Sequence, residues 1–179
     1  MGISTYEVMY IQARDNYPYN VEECIEKLHY VIAADSEHTG AQFLMGKIYE
    51  EQLEDYKQAE FYYRMALYLD NDYLPAYYQY AEMLISLDRI DEALKIIGLG
   101  KKVPGADKAK LACLSGLLYE KYEMYSTAID YYTDAKKAAM NTCYMNAMDD
   151  HIKRVKDKQR LDKKSRKKEA KEKKEKKAL

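Results

Sequence analysis

Histidine and acidic side chains are the first residues of this sequence to consider for metal binding. His29, His38 and His151 are far apart in the sequence, and two carboxylates, those of Asp149 and Asp150, directly precede His151. Adjacent residues on a helix point in different directions, so these three neighbouring groups are not expected to converge on one ion. The sequence therefore predicts no metal site and no cofactor.

A phosphate-binding loop and a reactive cysteine are two further kinds of chemistry that the sequence could contain. The segment 98–101, Gly-Leu-Gly-Lys, lacks the preceding strand and the Gly-Lys-Ser/Thr sequence of a phosphate loop. Cys24, Cys113 and Cys143 are odd in number and have no Cys-x-x-Cys spacing, which argues against a disulfide framework and a zinc site. No Ser/His/Asp or Cys/His set has supporting spacing either. We predict that the protein is not an enzyme.

A recurring pattern of small residues indicates which elements position the remaining side chains. Gly46, Ala81 and Gly116 stand 35 residues apart. Each is followed by a second set with internal spacings of four and three residues. These sets are Ala59, Tyr63 and Ala66; Ala93, Ile97 and Gly100; and Ala128, Tyr132 and Ala135. A fixed period of roughly 20–50 residues is the signature of a repeat array, and small residues allow two helices to approach closely.

The repeated residues also carry a resemblance to a known family. The sequence Met45-Gly46-x2-Tyr49…Ala59-x3-Tyr63-x2-Ala66 resembles the tetratricopeptide repeat, and Ser115-Gly116-x2-Tyr119…Ala128-x3-Tyr132-x2-Ala135 resembles it nearly as well. The positions of the family's tryptophan hold Gln42, Tyr77 and Ala112, and the chain has no Trp. The resemblance implies an all-α fold, a right-handed α-α superhelix of four helical hairpins with a closing helix.

The expected boundaries follow from the repeat spacing and the turn residues. The repeat domain is predicted to span residues 1–155. Its hairpins are predicted at about 3–34, 40–69, 74–101 and 107–139, with a closing helix from about 142. Tyr144, Ala147, Met148, Ile152 and Val155 would give the closing helix an apolar stripe. Asn20 and Asp88 are expected to cap the helices that follow them.

The expected location of the protein follows from what the sequence lacks. No run approaches the roughly 20 apolar residues of a membrane span, and the first residues lack the basic and apolar regions of a secretory signal. We therefore expect no membrane contact and a cytoplasmic protein.

Charge divides the chain into an acidic body and a basic tail. Residues 151–179 contain 15 Lys+Arg and 5 Asp+Glu, which leaves 14 and 25 in residues 1–150. We predict that 156–179 is a Lys-rich tail, helical or disordered. The tail has no aromatic residue for base stacking, so only weak, sequence-blind nucleic-acid binding is expected. The preferred hypothesis is that the tail contacts the acidic body, its own or that of a neighbouring copy, which would give self-association.

The resemblance implies that the first helix of each hairpin lines a concave groove for an extended peptide or a partner helix. The groove positions are Phe43, Lys47, Glu50, Tyr78, Glu82, Ile85, Lys110, Cys113, Leu117 and Glu120. Apolar anchors with a charged rim suit a binding surface, although packing against the neighbouring hairpin would explain any one of them equally well. The family's carboxylate clamp for chaperones is not expected, because only Lys110 matches it.

The function predicted from the sequence is that of a non-catalytic protein-protein interaction module or scaffold with a protein or peptide partner. One alternative is a nucleic-acid-associated adaptor that works through the basic tail. Another is an enzyme whose site has no recognisable motif.

Overall fold

The computed structural model describes the backbone of residues 4–177, which form helices joined by short turns. Within that range there are nine helices and no strand. They are α1 (Thr5–Asn16), α2 (Val21–Ala34), α3 (Thr39–Glu51), α4 (Tyr56–Leu69), α5 (Leu74–Ser86), α6 (Ile90–Gly100), α7 (Lys108–Lys121), α8 (Tyr125–Ala138) and α9 (Thr142–Lys177).

The first eight helices pack as four hairpins, α1 with α2, α3 with α4, α5 with α6 and α7 with α8. Each hairpin contacts the next through its second helix, because α2 packs on α3, α4 on α5 and α6 on α7. The first helices also touch, α3 with α5 and α5 with α7. Stacking of this kind lets each hairpin bury an apolar face that it could not bury alone.

The small residues of the repeat mark the closest approaches within the hairpins. Gly46 and Gly116 are buried, and a Cβ atom on either would stand 2.7 Å from Cδ1 of Tyr63 or Tyr132 respectively. Both tyrosine rings are fully buried. Ala81 is also fully buried, in the central cluster that contains Ile97. The glycines therefore provide the space that a tyrosine ring of the second helix fills.

Three turns repeat a backbone feature that the sequence did not reveal. Glu54, Asp88 and Glu123 have φ angles of 52°, 58° and 59°, and each lies between the two helices of a hairpin. After α5 and α7, the N–H of the following residue bonds back to the last turn, Arg89 to Leu84 and Met124 to Tyr119. This arrangement is the Schellman ending, which normally favours glycine.

The predicted helix caps have different outcomes. Asn20 caps α2 as expected, because its Oδ1 accepts from the N–H of Glu23 at 3.4 Å. The prediction for Asp88 is wrong. Asp88 adopts the left-handed conformation that ends α5, and α6 begins one residue later, with Arg89 at the cap position.

The final helix covers the last hairpin with the stripe predicted for it. Met148 and Val155 are buried against Ala128, Tyr132 and Ala135, and Tyr144, Ala147 and Ile152 pack against the same cluster. The helix then continues to Lys177. The tail was predicted to be helical or disordered, and its residues 156–177 are helical and continue the closing helix.

Candidate protein-interaction groove

The helix α9 runs alongside α7 in the same direction. Near the start of α9, the Tyr144 hydroxyl donates to the carbonyl of Ala109 on α7 at 3.4 Å. Further along, Arg154 and Lys158 donate to Glu120 near the end of α7. Helix α9 therefore occupies the place that the first helix of a fifth hairpin would take, and it forms one wall of the face made by α3, α5 and α7.

The ten predicted groove residues differ widely in exposure. Glu82 is exposed, and Phe43, Lys47, Glu50, Lys110, Cys113 and Leu117 are partly exposed. Tyr78, Ile85 and Glu120 are buried. For these last three, a structural contact within the fold accounts for most of the side-chain surface.

Tyr78 is held by the turn before α7. Its hydroxyl oxygen accepts from the N–H of Asp107 at 2.8 Å, and the Lys110 ammonium lies 4.8 Å from the centre of its ring. The side chain is 9% exposed. Replacing Tyr78 with alanine would therefore disturb packing between hairpins, and it is a poor probe of ligand binding.

Phe43 contributes to an aromatic cluster. Its ring centre lies 6.0 Å from that of Tyr63 and 5.5 Å from that of Tyr73. The edge-to-face arrangement with Tyr73 is a favourable one for aromatic pairs. Phe43 thus joins the second hairpin to the start of α5 and presents only part of its ring to the groove.

Glu120 is a buried carboxylate that accepts four hydrogen bonds from three side chains. Arg154 donates from Nε at 3.0 Å and from Nη2 at 2.7 Å, Lys158 donates from Nζ at 2.8 Å, and the Tyr132 hydroxyl donates at 2.9 Å. Burial alone would raise the pKa of Glu120, but the hydrogen bonds from Arg154, Lys158 and Tyr132 lower it to about 2. The group is ionised and neutralised by α9, so it anchors that helix.

His151 belongs to the same cluster. Its ring stacks on Tyr132 with centres 4.8 Å apart, and its Nδ1 lies 2.7 Å from Nη2 of Arg154. Burial and the nearby Arg154 charge lower the pKa of His151. The neutral imidazole then accepts a hydrogen bond from the Arg154 guanidinium and helps to hold it against Glu120.

An open cleft of about 770 Å³ lies where α9 passes the end of α7. Ile85 and Leu117 are apolar residues on the α5 and α7 side, and Leu161, 67% exposed, lies on the α9 side. Charged and polar groups complete the lining: Glu120, Lys121, Glu123, Tyr125, Arg154, Lys158, Asp162 and Ser165. We refer to this cleft as the α7–α9 cleft.

The cleft brings together three of the predicted groove residues, Ile85, Leu117 and Glu120, with residues that were not among those predicted. Arg154, Lys158 and Leu161 come from α9. Their signal was present in the sequence, because positions 154, 158 and 161 share one helix face, and the apolar residue Val155 lies at its edge. The carboxylate that they meet, Glu120, could not be identified without the packing of α9 beside α7.

The other half of the groove, at α3 and α5, has a different electrostatic character. Glu50 is partly buried and accepts from the Tyr63 hydroxyl at 2.5 Å and from Nε2 of Gln79 at 3.2 Å. Burial and the nearby charges of Glu51 and Glu82 raise the pKa of Glu50, and the two hydrogen bonds oppose this rise. Both donors to Glu50 are neutral, whereas two of the three side chains that donate to Glu120 are cations.

The residues that the structure describes do not gather into a metal site, since no three His, Cys, Asp or Glu side chains are close enough to hold an ion. The three cysteines are free thiols, buried at Cys24, partly buried at Cys113 and exposed at Cys143. Over the described range, no helix combines the length and the apolar character needed to cross a bilayer.

Comparison with known proteins gives a fold but no close relative. No family model matches the chain, and no curated protein sequence matches it. The solved structure of TTC0263, a thermophilic TPR protein of Thermus thermophilus, does match, with a TM-score of 0.69 and 17% identity over 83% of this chain and 82% of that one. This is a tetratricopeptide-repeat fold.

Two further structures share this fold. PilF of Pseudomonas aeruginosa has a TM-score of 0.75 and 15% identity, covering 87% of this chain and 69% of its own. MamA of Desulfovibrio magneticus RS-1 has a TM-score of 0.65 and 19% identity, covering 87% and 92%. The predicted all-α, right-handed superhelix is confirmed. Its tetratricopeptide-repeat hairpins are those expected from the small-residue spacing, although no tryptophan is present.

Proposed function

We propose that this protein is a non-catalytic scaffold that binds a peptide or a partner helix on the face formed by α3, α5, α7 and α9. The observation that carries the proposal is the α7–α9 cleft, an open space of about 770 Å³ at the end of that face. Ligand pockets typically have roughly 300–1,000 Å³, and they combine apolar walls with a few placed polar groups. The cleft has both, and Ile85, Leu117 and Glu120 of the predicted groove are part of its lining.

The chemical character of the cleft favours a protein partner over a small reactive substrate. Ile85, Leu117 and Leu161 offer apolar contact, and Lys121 and Glu123 add charge of both signs at the rim. Binding energy at protein interfaces concentrates on apolar anchors surrounded by polar groups. The strongest ionic contacts in the cleft, those of Glu120, are already satisfied within the chain.

The absence of catalysis is part of the proposal. The titratable groups with the clearest structural roles, Glu120 and His151, are hydrogen-bonded or stacked within the fold and hold α9 in place. Three free cysteines, one of them buried, suit a reducing compartment, and on this basis we place the scaffold in the cytoplasm.

Site-specific photo-crosslinking tests the proposal directly. A benzophenone amino acid would replace Glu82 or Leu161 on the concave side, and Leu94 or Tyr68 on the second helices as exposed controls. Irradiation in the source cells should give discrete protein adducts from the first two positions and few from the controls. Equal adduct patterns from all four positions would show that the groove has no special role, and the proposal would fail.

A substitution in the cleft provides the second arm. Leu161→Asp should remove adducts formed from position 82 without changing the unfolding midpoint, because Leu161 is 67% exposed. Leu94→Asp, at a control position that is 40% exposed, should leave the adducts unchanged.

A further inference from the structure

The second and fourth hairpins place a glutamate at the same point of the concave face. Glu50 and Glu120 each stand four residues after the glycine of their helix, Gly46 or Gly116. In both hairpins, the tyrosine that lies over the glycine donates its hydroxyl to that glutamate. These are two copies of one arrangement, in which a second-helix tyrosine orients a first-helix carboxylate.

The two copies differ in the hydrogen-bond donors that the glutamate receives from the helix beside it, which is the first helix of the next hairpin or the helix that takes its place. For Glu120 it is α9, which supplies Arg154 and Lys158, two cations one turn apart. For Glu50 it is α5, which supplies the neutral amide of Gln79. A second carboxylate, Glu82, also lies close enough on α5 to affect Glu50 electrostatically.

Lys47, the cation nearest to Glu50 in the sequence, has other partners. Lys47 pairs with Glu51, with 3.6 Å between Nζ and Oε1, and its ammonium lies 5.1 Å from the centre of the Tyr17 ring. A partly buried carboxylate gains much more from a charged donor than from a neutral one. The face around Glu50 and Glu82 is therefore suited to a basic partner segment.

We propose that this face receives the basic end of α9 from a second copy of the chain, with two lysines one turn apart bracketing the Glu50 carboxylate. The two lysines would pair with Glu50 as Arg154 and Lys158 pair with Glu120, but they would approach from the open side of the groove, because α5 already lies beside α3. The proposal rests on the proposed function, since it names a partner for the same groove. The proposal thus names the residues through which the basic tail of one copy would contact the acidic body of another.

The chain itself supplies a segment of the required chemistry. Beyond the docked part of α9, Lys163 and Lys167 form one exposed pair at four-residue spacing, and Lys164 and Lys168 form another. This is the spacing of Arg154 and Lys158. The body of the chain carries the opposite net charge to the segment 151–179, so the two surfaces attract each other over a distance of about one screening length, ~8 Å.

The basic end of α9 cannot make this contact within its own chain. Helices α5 and α7 separate α9 from α3, and packed helices lie about 8–10 Å apart, so Glu50 is roughly 25–30 Å from the axis of α9. Because α9 is one continuous helix to Lys177, it cannot turn back across the face. A second copy has no such restriction.

Sedimentation equilibrium of the full-length chain tests the proposal. In low salt the weight-average mass should rise with concentration above the 21.0 kDa of one chain, and about 0.5 M NaCl should reverse the rise. Glu50→Gln should weaken association about tenfold, because glutamine can keep the neutral hydrogen bonds without the charge. Neutralising all four lysines to glutamine should weaken it at least as much.

Charge reversal separates specific contact from general attraction. Glu82→Lys should abolish association, and Glu26→Lys, an equal change on an exposed residue of α2, should not. Mixing Glu82→Lys with a chain in which Lys163, Lys164, Lys167 and Lys168 are all changed to glutamate should restore it, although neither variant associates alone. Equal loss for Glu82→Lys and Glu26→Lys, or no recovery on mixing, would overturn the proposal. Circular dichroism and unfolding midpoints would verify that each variant is folded.

The outcomes also distinguish this proposal from the proposed function and from nucleic-acid binding. A wild-type chain that stays at 21.0 kDa in low salt would end the proposal, whereas crosslinks from position 82 to other proteins would still support a scaffold. Association that disappears after nuclease treatment would show that nucleic acid bridges the tails, and it too would overturn the proposal.

Discussion

The ring of Tyr132 lies so close over Gly116 that a Cβ atom there would stand 2.7 Å from its Cδ1 and Cε1. The same relation between Tyr63 and Gly46 occurs two hairpins earlier. Each tyrosine also donates its hydroxyl to a glutamate one turn further along the first helix. The glycine thus determines both how closely the two helices pack and where the tyrosine hydroxyl can reach.

The first prediction concerns this glycine. Gly116→Ala should lower the free energy of unfolding by about 1–3 kcal/mol, because the added methyl group must displace a buried ring. Gly98→Ala is the matched control, since a Cβ at this helical position meets nothing within 4 Å. It should raise stability by roughly 0.5–1 kcal/mol through helix propensity. Urea unfolding measures both values, and a neutral Gly116→Ala would contradict the proposed packing role.

The second prediction concerns pH. The folded-state pKa of Glu120 is lowered to about 2, so its contribution is complete above the unfolded value near 4.5 and is lost as pH falls towards 2. Between about pH 6 and pH 3, the wild type should lose about 2 kcal/mol more than Glu120→Gln, at 1.36 kcal/mol per unit of pKa difference. Asp134→Asn, at an exposed site, should behave like the wild type. Parallel curves of stability against pH for the wild type and Glu120→Gln would show that the pKa of Glu120 is not lowered in the folded protein.

The third prediction uses a double-mutant cycle across α7 and α9. Arg154→Met should cost roughly 2–3 kcal/mol, because Glu120 remains buried with only Lys158 and Tyr132 as donors. Adding Glu120→Leu should recover part of this loss, since the unpaired carboxylate is then gone. The coupling free energy is obtained from four urea curves. Strict additivity would mean that the ion pair does not hold α9.

The fourth prediction concerns the left-handed turn residues. Glu123→Gly should raise stability by about 1 kcal/mol, because glycine adopts a φ near 59° without the steric cost that a side chain carries. Lys95→Gly, inside α6, should lower stability by about the same amount through lost helix propensity. Destabilisation by both substitutions would show that the Glu123 side chain matters more than its backbone conformation.

Much of the fold could be predicted because the small residues Gly46, Ala81 and Gly116 mark where the helices pack together. Their regular spacing can be read directly from the sequence. The left-handed turns escaped prediction because Glu54, Asp88 and Glu123 are not residues that favour this conformation. Asp88 was predicted to be an N-cap because aspartate is a common residue immediately before a helix.

The site was less predictable than the fold. The ten predicted groove residues lie on the first helices α3, α5 and α7. The burial of Tyr78 could not be predicted, because it depends on a turn 29 residues away, in which the N–H of Asp107 donates to the Tyr78 hydroxyl. Glu120 was predicted as a groove residue from its position in the repeat, which does not reveal the side chains that neutralise it. Its partners, Arg154 and Lys158, lie 34 and 38 residues later, and only the packing of α9 brings them together.

The position of α9 limits how this protein could be lengthened by engineering. Helix α9 takes the place that the first helix of a fifth hairpin would occupy. An additional consensus hairpin fused after Lys177 would therefore have no surface on which to stack. A successful insertion would have to enter between α6 and α7 or between α8 and α9, where a matching face already exists on each side. Such an extended chain would keep the terminal helix as its end piece and would gain groove length from within.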